Sequence, residues 1–172
     1  MTRILVLSDT HLIQGGDRSV ADPDLLEMLE DYLLKADFIV HAGDHTGIGF
    51  YFALEEKGNL TSVCGNMDAP LLRDDLPEQT IITCEGIRIG IIHGWGASKG
   101  LEDRVFRKWE GNIPDIIVFG HSHRAHKSWR DQTMLFNPGS PTSPRGPFPT
   151  FGWIEVNGSS FDAQIISLSE IN

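Results

Sequence analysis

The apolar residues of this chain come in short runs that stop abruptly at Asp, His, Asn and Gly. No other feature constrains the fold as much. Ile4 to Leu7 runs into Ser8-Asp9-Thr10-His11, and Phe38 to Val40 into His41-Ala42-Gly43-Asp44-His45. Leu60 to Cys64 leads to Gly65-Asn66-Met67-Asp68, Ile87 to Ile92 to His93-Gly94, and Ile116 to Phe119 to Gly120-His121-Ser122-His123. Continuous apolar runs this short read as strands buried on both faces, which requires further layers on either side. Amphipathic segments lie between them. Leu25, Leu26, Met28, Leu29, Leu33 and Leu34 recur at helical spacing, with Asp22 as the expected N-cap and Pro23 at the first helical position. Phe50 to Lys57 and Ser98 to Trp109 also read as helices.

Gln79 to Cys84 and Ile87 to Ile92 flank Glu85-Gly86, the signal of a β-hairpin. Beyond Phe119 the character changes. His126 to Arg130, Thr133 to Phe136, Phe151 to Val156 and Ala163 to Leu168 read as four strands joined by turns, without helices. Pro138 to Pro149 holds five of the nine prolines and reads as a rigid loop rather than a linker. The 172 residues therefore fit one domain, 1–172, of mixed α/β class: two sheets packed together with helices outside.

The formal net charge of −10 disfavours electrostatic adhesion to nucleic acid or anionic membranes, so no stable nucleic-acid complex is expected. Cys64 and Cys84 lack metal or redox spacing and read as buried thiols, which suits a reducing compartment. Ile4 to Leu7 is too short for a secretory core, and no run approaches the roughly 18 apolar residues of a membrane span. The expectation is a cytoplasmic protein.

The polar residues at the strand ends carry the chemistry. On extended backbone, alternate residues point the same way, so His121 and His123 are expected to face one spot. Asp9, His11, Asp44, Asn66 and His93 sit at comparable strand ends. All seven are oxygen or nitrogen ligands of the kind that suits manganese, zinc, iron or nickel. Seven are too many for one four-coordinate ion and suit two ions sharing a carboxylate, the arrangement that clamps the attacking and leaving oxygens of a phosphoryl group.

Asp9-Thr10-His11, Gly43-Asp44, Gly65-Asn66, His93-Gly94 and Gly120-His121-Ser122-His123 resemble, in order and spacing, the motifs of calcineurin-like metallophosphoesterases. The short length, and Asn137-Pro138-Gly139-Ser140 after the last motif, are similar to the small prokaryotic YfcE-type phosphodiesterase branch. The resemblance implies a four-layer α-β-β-α sandwich, with two mixed sheets between helices. It implies a metal-dependent phosphodiesterase with two divalent ions, Mn²⁺ foremost and Ni²⁺, Zn²⁺, Fe²⁺ or Mg²⁺ as alternatives. Asp9, His11 and His123 would hold the first ion, Asn66, His93 and His121 the second, and Asp44 would bridge them. Catalysis would run through the metal centre, on Asp44 and Asn66, with a metal-bridging hydroxide in place of a protein nucleophile. Homodimers or homotetramers are implied only by the same resemblance.

One position departs from the pattern. Many relatives carry histidine directly after the Gly-Asn pair, where it contacts substrate; here it is Met67, whose thioether has no proton to donate. The YfcE-type branch is similar in this respect. Activated diesters are therefore the expected substrates, ahead of monoesters and poor leaving groups. His41, His45, Asp68 and Arg145 are candidates for supporting the ligands or touching substrate, Asp68 by orienting a ligand imidazole and Arg145 by meeting a phosphate. The alternative is a protein-binding scaffold resembling the metallophosphoesterase-like subunit of the retromer coat. In such scaffolds the ligand pattern is eroded; here all seven positions carry competent ligands.

Overall fold

A computed structural model describes residues 1–12 and 23–171. Among the described residues, ten strands form two five-stranded sheets. The first takes the order β10 (Ser160–Ser167), β9 (Thr150–Asn157), β1 (Thr2–Leu7), β2 (Phe38–His41), β3 (Leu60–Ser62). The second is β4 (Gln79–Cys84), β5 (Ile87–Ile92), β6 (Ile116–Phe119), β8 (Thr133–Asn137), β7 (His126–Arg130). Each is mixed: β1, β2 and β3 run parallel, as do β5, β6 and β8, while β9 and β10 in the first sheet and β4 and β7 in the second pair antiparallel with their neighbours.

Strand parity explains the unbroken apolar runs. Ile4, Val6, Val40, Ile89, Ile91, Ile116, Val118 and Phe136 fill the core between the sheets. The intervening Leu5, Leu7 and Ile39 pack outward against Leu25 of α1 (Pro23–Met28), Leu33 of α2 (Glu30–Lys35) and Leu29 between them, and against Phe50 and Leu54 of α3 (Ile48–Lys57). On the second sheet Ile117 and Phe119 pack outward against Leu101, Val105 and Phe106 of α5 (Leu101–Arg107). The result is the expected four layers. The four helix-free strands at the end of the chain divide between the sheets, β7 and β8 in one and β9 and β10 in the other.

Two local expectations change. The helical run after Pro23 is interrupted at Leu29 (φ −93°, ψ −1°), whose carbonyl accepts bonds from both Tyr32 and Leu33. Its buried face is Leu25, Leu29 and Leu33, whereas Leu34 is 79% exposed and Met28 45%. The expected cap, Asp22, lies outside the described residues. A short helix, α4 (Pro70–Asp75), stands where none was expected; Leu72 is its buried residue, too little to leave a periodic signal. The Glu85-Gly86 hairpin forms at the expected boundaries, with both turn residues at positive φ, 49° and 97°. Among the described residues, no helix is long and apolar enough to cross a membrane.

Candidate metal centre

The carboxyl ends of β1, β2 and β3 meet those of β5 and β6 at one edge of the sandwich, and the seven expected ligands converge there. Five of the seven do not sit on extended backbone. Asp9 (φ 53°), His11 (43°), Asp44 (60°), His121 (70°) and His123 (56°) are all left-handed, as is Thr46 (70°). A side chain in that conformation costs roughly 1–2 kcal/mol, so the surrounding contacts must hold each one there. The alternation expected for His121 and His123 therefore fails, and their rings diverge. The reason lies at Gly120. A Cβ there would stand 1.8 Å from the Ser8 hydroxyl and 2.7 Å from Asp9 Oδ2, so the first sheet presses directly on the chain as it leaves β6. Gly65 is confined in the same way, its missing Cβ falling 2.2 Å from Asp44 Oδ1.

One ligand atom from each of Asp9, His11, Asp44 and His123 lies within 4.8 Å of every other. His11 Nε2 is 3.4 Å from Asp44 Oδ2, His123 Nε2 is 3.5 Å from Asp9 Oδ1, and the two Nε2 atoms are 3.0 Å apart. Beside this group, His93 Nε2 lies 3.3 Å from Asp44 Oδ2, and His121 Nδ1 lies 3.0 Å from Asn66 Oδ1. The other ring nitrogens are occupied. His93 Nδ1 donates to the Ala42 carbonyl at 2.7 Å, His121 Nε2 to that of Gly96 at 2.7 Å, and His123 Nδ1 to that of Ser143 at 2.7 Å. In a neutral ring each of these bonds leaves the opposite nitrogen as a lone pair, aimed at a carboxylate, an amide oxygen or another imidazole. Buried His93 Nε2 has no aligned hydrogen-bond partner. Lone pairs gathered around two carboxylates fit divalent cations, with the distal nitrogens held by the main chain as metal-ligating histidines require.

The carboxylates are poised accordingly. Burial pushes Asp9 above its ordinary range, against the pull of His93 and His123. Burial acts the same way on Asp44, but His93, the Met67 N–H and His11 together outweigh it and leave this carboxyl lowered. His93, against its own burial, is raised to about 8 by Asp44 and Asp9. Main-chain N–H groups fix both acids: His121 N donates to Asp9 at 3.0 and 3.1 Å, and Met67 N to Asp44 Oδ1 at 2.7 Å.

Two of the supporting residues, His45 and Asp68, take different places from those expected. His45 is fully buried and stacked on His41, ring centroids 3.6 Å apart, so it presents no face to a substrate. Asp68 holds His45 rather than a ligand imidazole, and it accepts from the N–H groups of Asp44, Thr46 and Gly65. Burial opposes its ionisation, yet His45 and those N–H groups hold it well below the usual carboxylate range. Asp68 therefore ties the loop after β2 to the loop after β3. Arg145 lines a cavity of about 280 Å³ over the ligands, together with His11, Asn66, Met67 and His121. Its main-chain N–H donates to His123 O at 3.0 Å.

Other contributors were not expected. Thr46 Oγ1 meets His11 Nδ1 at 2.9 Å, and Ser140 Oγ donates to Asp9 O at 2.7 Å. Asn137 Nδ2 reaches Gly120 O and the Ser122 hydroxyl, so Ser122 is a fixed point of the turn. The Asn-Pro-Gly-Ser sequence was a usable signal for Asn137 and Ser140. Ser143 acts through its carbonyl and leaves none.

The sequence matches the calcineurin-like phosphoesterase superfamily domain over residues 2–159. It is 31% identical to a probable metallophosphoesterase of Methanothermobacter thermautotrophicus over 94% of this chain and 90% of that protein. The fold superposes with TM-score 0.71 on a predicted phosphoesterase from Streptococcus pneumoniae, at 24% identity over 98% of this chain and 90% of the other. It superposes with TM-score 0.70 on the zinc complex of Vps29 from Entamoeba histolytica, at 22% identity over 97% and 99%.

Proposed function

The chain belongs to the calcineurin-like phosphoesterase superfamily, and we propose that it is a phosphodiesterase acting on small diesters with two divalent ions, Mn²⁺ foremost. The observation that carries this reading is the set of imidazoles whose distal nitrogens are spent on main-chain carbonyls, leaving lone pairs around Asp9 and Asp44. Asp9, His11 and His123 would hold one ion, Asn66, His93 and His121 the other, and Asp44 both. Bound there, the ions supply positive charge for a phosphoryl oxygen and a water acidic enough to ionise near neutral pH.

The chain's own residues do the rest. Main-chain N–H groups keep both carboxylates oriented before substrate arrives. Arg145 lines the same cavity, and its guanidinium is the group there suited to pair with a phosphate oxygen. Met67, 55% exposed in that cavity, has no proton to give, so the departing alkoxide must be a good leaving group. This favours activated diesters over monoesters. Cytoplasmic residence belongs to the same proposal, on the free thiols Cys64 and Cys84.

The rival scaffold reading has the fold likeness to Vps29 on its side and the complete ligand set against it. One assay separates the two: metal-stripped protein, bis(4-nitrophenyl) phosphate, and Mn²⁺, Ni²⁺, Zn²⁺ or Mg²⁺ added back. Metal-dependent turnover is expected, faster than on 4-nitrophenyl phosphate, with a fall of at least ~100-fold in Asp44→Asn. Absence of metal-dependent turnover, with Asp44→Asn behaving like the wild type, would establish the scaffold instead.

A further inference from the structure

A cavity of about 430 Å³ adjoins the metal centre on the side of Asn66 and His93, which help to line it. The rest of its wall includes Cys64, Ile92, Gly94 and Trp95, with Glu78 and Lys108 at its polar side. Trp95 is the unusual member. Trp109 and Trp153 are buried and Trp129, 58% exposed, stacks on Phe161, whereas Trp95 is 45% exposed with no ring partner among the described residues. Nor is it on a loose segment. The Arg104 guanidinium donates to the main-chain carbonyls of Trp95 (3.0 Å), Lys99 (3.1 Å) and Ala97, fastening the loop to α5. The same loop supplies the Gly96 carbonyl that accepts from His121. One pinned segment thus orients a candidate ligand and presents an indole beside it.

We propose that this cavity is the subsite for one ester arm of the substrate and that the arm ends in a flat aromatic ring stacked against Trp95. The inference rests on the phosphodiesterase reading for the position of the phosphate, in the smaller cavity that shares Asn66. The volume falls in the range of small-molecule sites and is ample for a single aromatic ring system. The indole offers a face for stacking, Ile92 and Cys64 an apolar floor, and Glu78 and Lys108 an acceptor and a donor for polar groups on the ring's edge. A diester whose arms are both small alkyl groups would leave the indole in water and gain nothing from it.

The test is binding rather than turnover. Mg²⁺-loaded, ¹⁵N-labelled protein is titrated with diphenyl phosphate and, in parallel, with dimethyl phosphate, following the tryptophan indole N–H signals. The Trp95 signal, identified by its loss in Trp95→Phe, should move with diphenyl phosphate and not with dimethyl phosphate. Trp95→Ala should raise the Kd for diphenyl phosphate about tenfold, and Trp95→Phe should recover most of the loss. An unmoved Trp95 signal, or equal Kd values in wild type and Trp95→Ala, overturns the subsite. If those negatives come with intact Mn²⁺-dependent diesterase activity, the subsite falls alone. Binding as expected without turnover would sink the catalytic reading and leave the subsite standing.

Discussion

His93, His121 and His123 each give one ring nitrogen to a main-chain carbonyl and keep the other for the centre. His41, only three residues before Asp44, is built to the opposite end. It is fully buried, receives Gly43 N–H on Nδ1 at 3.2 Å, and meets the Thr10 hydroxyl at Nε2, 3.1 Å away. Both nitrogens are thus satisfied by a neutral ring, and burial, followed by the stacked His45, pushes its pKa well below the ordinary value. Below about pH 6.5 the unfolded chain takes up a proton that the native ring refuses. The stability contributed by neutral His41 is therefore complete above that pH and lost on acidification, by about 1.4 kcal/mol per pH unit. Urea unfolding of metal-free protein at pH 7.5 and 5.5 should show a steeper loss in the wild type than in His41→Gln, whose baseline is lower. Parallel losses would mean that His41 is not the group excluded from protonation.

At the scale of elements, the loop between β5 and α5 does more than connect them. Arg104 holds three of its carbonyls, and through Gly96 O it fixes the tautomer of His121, so it acts on the centre without touching it. Arg104→Gln should weaken the ion held by Asn66, His93 and His121 about tenfold, the usual cost of losing a residue that orients a ligand. Calorimetric titration should then show one Mn²⁺ site shifted and the other unchanged; two unchanged sites would remove Arg104 from this role. The sequence was silent here because Arg104 reads as an ordinary exposed helix residue and its partners are main-chain atoms. The same holds for Ser143, and for the left-handed backbone of Asp9 and His121 the residue types are only a weak signal, since Asp and His are enriched at positive φ yet far more often lie elsewhere. The central strands were legible for the converse reason. Burial on both faces forces every residue to be apolar, so Ile116–Phe119 could be placed to the residue, while α4, with Leu72 buried, could not be seen.

Across the whole molecule, the centre is also a seam. Asp9, Asp44 and Asn66 follow strands of one sheet, and His93, His121 and His123 follow strands of the other. Between the sheets, the direct ties at this edge include His121 N–H to Asp9, His93 to Ala42 O, and Ser140 to Asp9 O. Two buried carboxylates and several converging lone pairs strain that seam unless a cation joins them, so binding should stabilise the entire fold and not only its loops. At Mn²⁺ concentrations near 100 times Kd, linkage predicts about 2.7 kcal/mol, or roughly 5–10 °C in Tm for a chain of this size. The shift should vanish in Asp44→Asn. In Phe136→Leu it should persist, because Phe136 lies in the core between the sheets away from any ligand atom, although the melting curve as a whole should move down by several degrees. Equal Tm values with EDTA and with Mn²⁺ in the wild type would show that the two sheets hold this edge together without the ions.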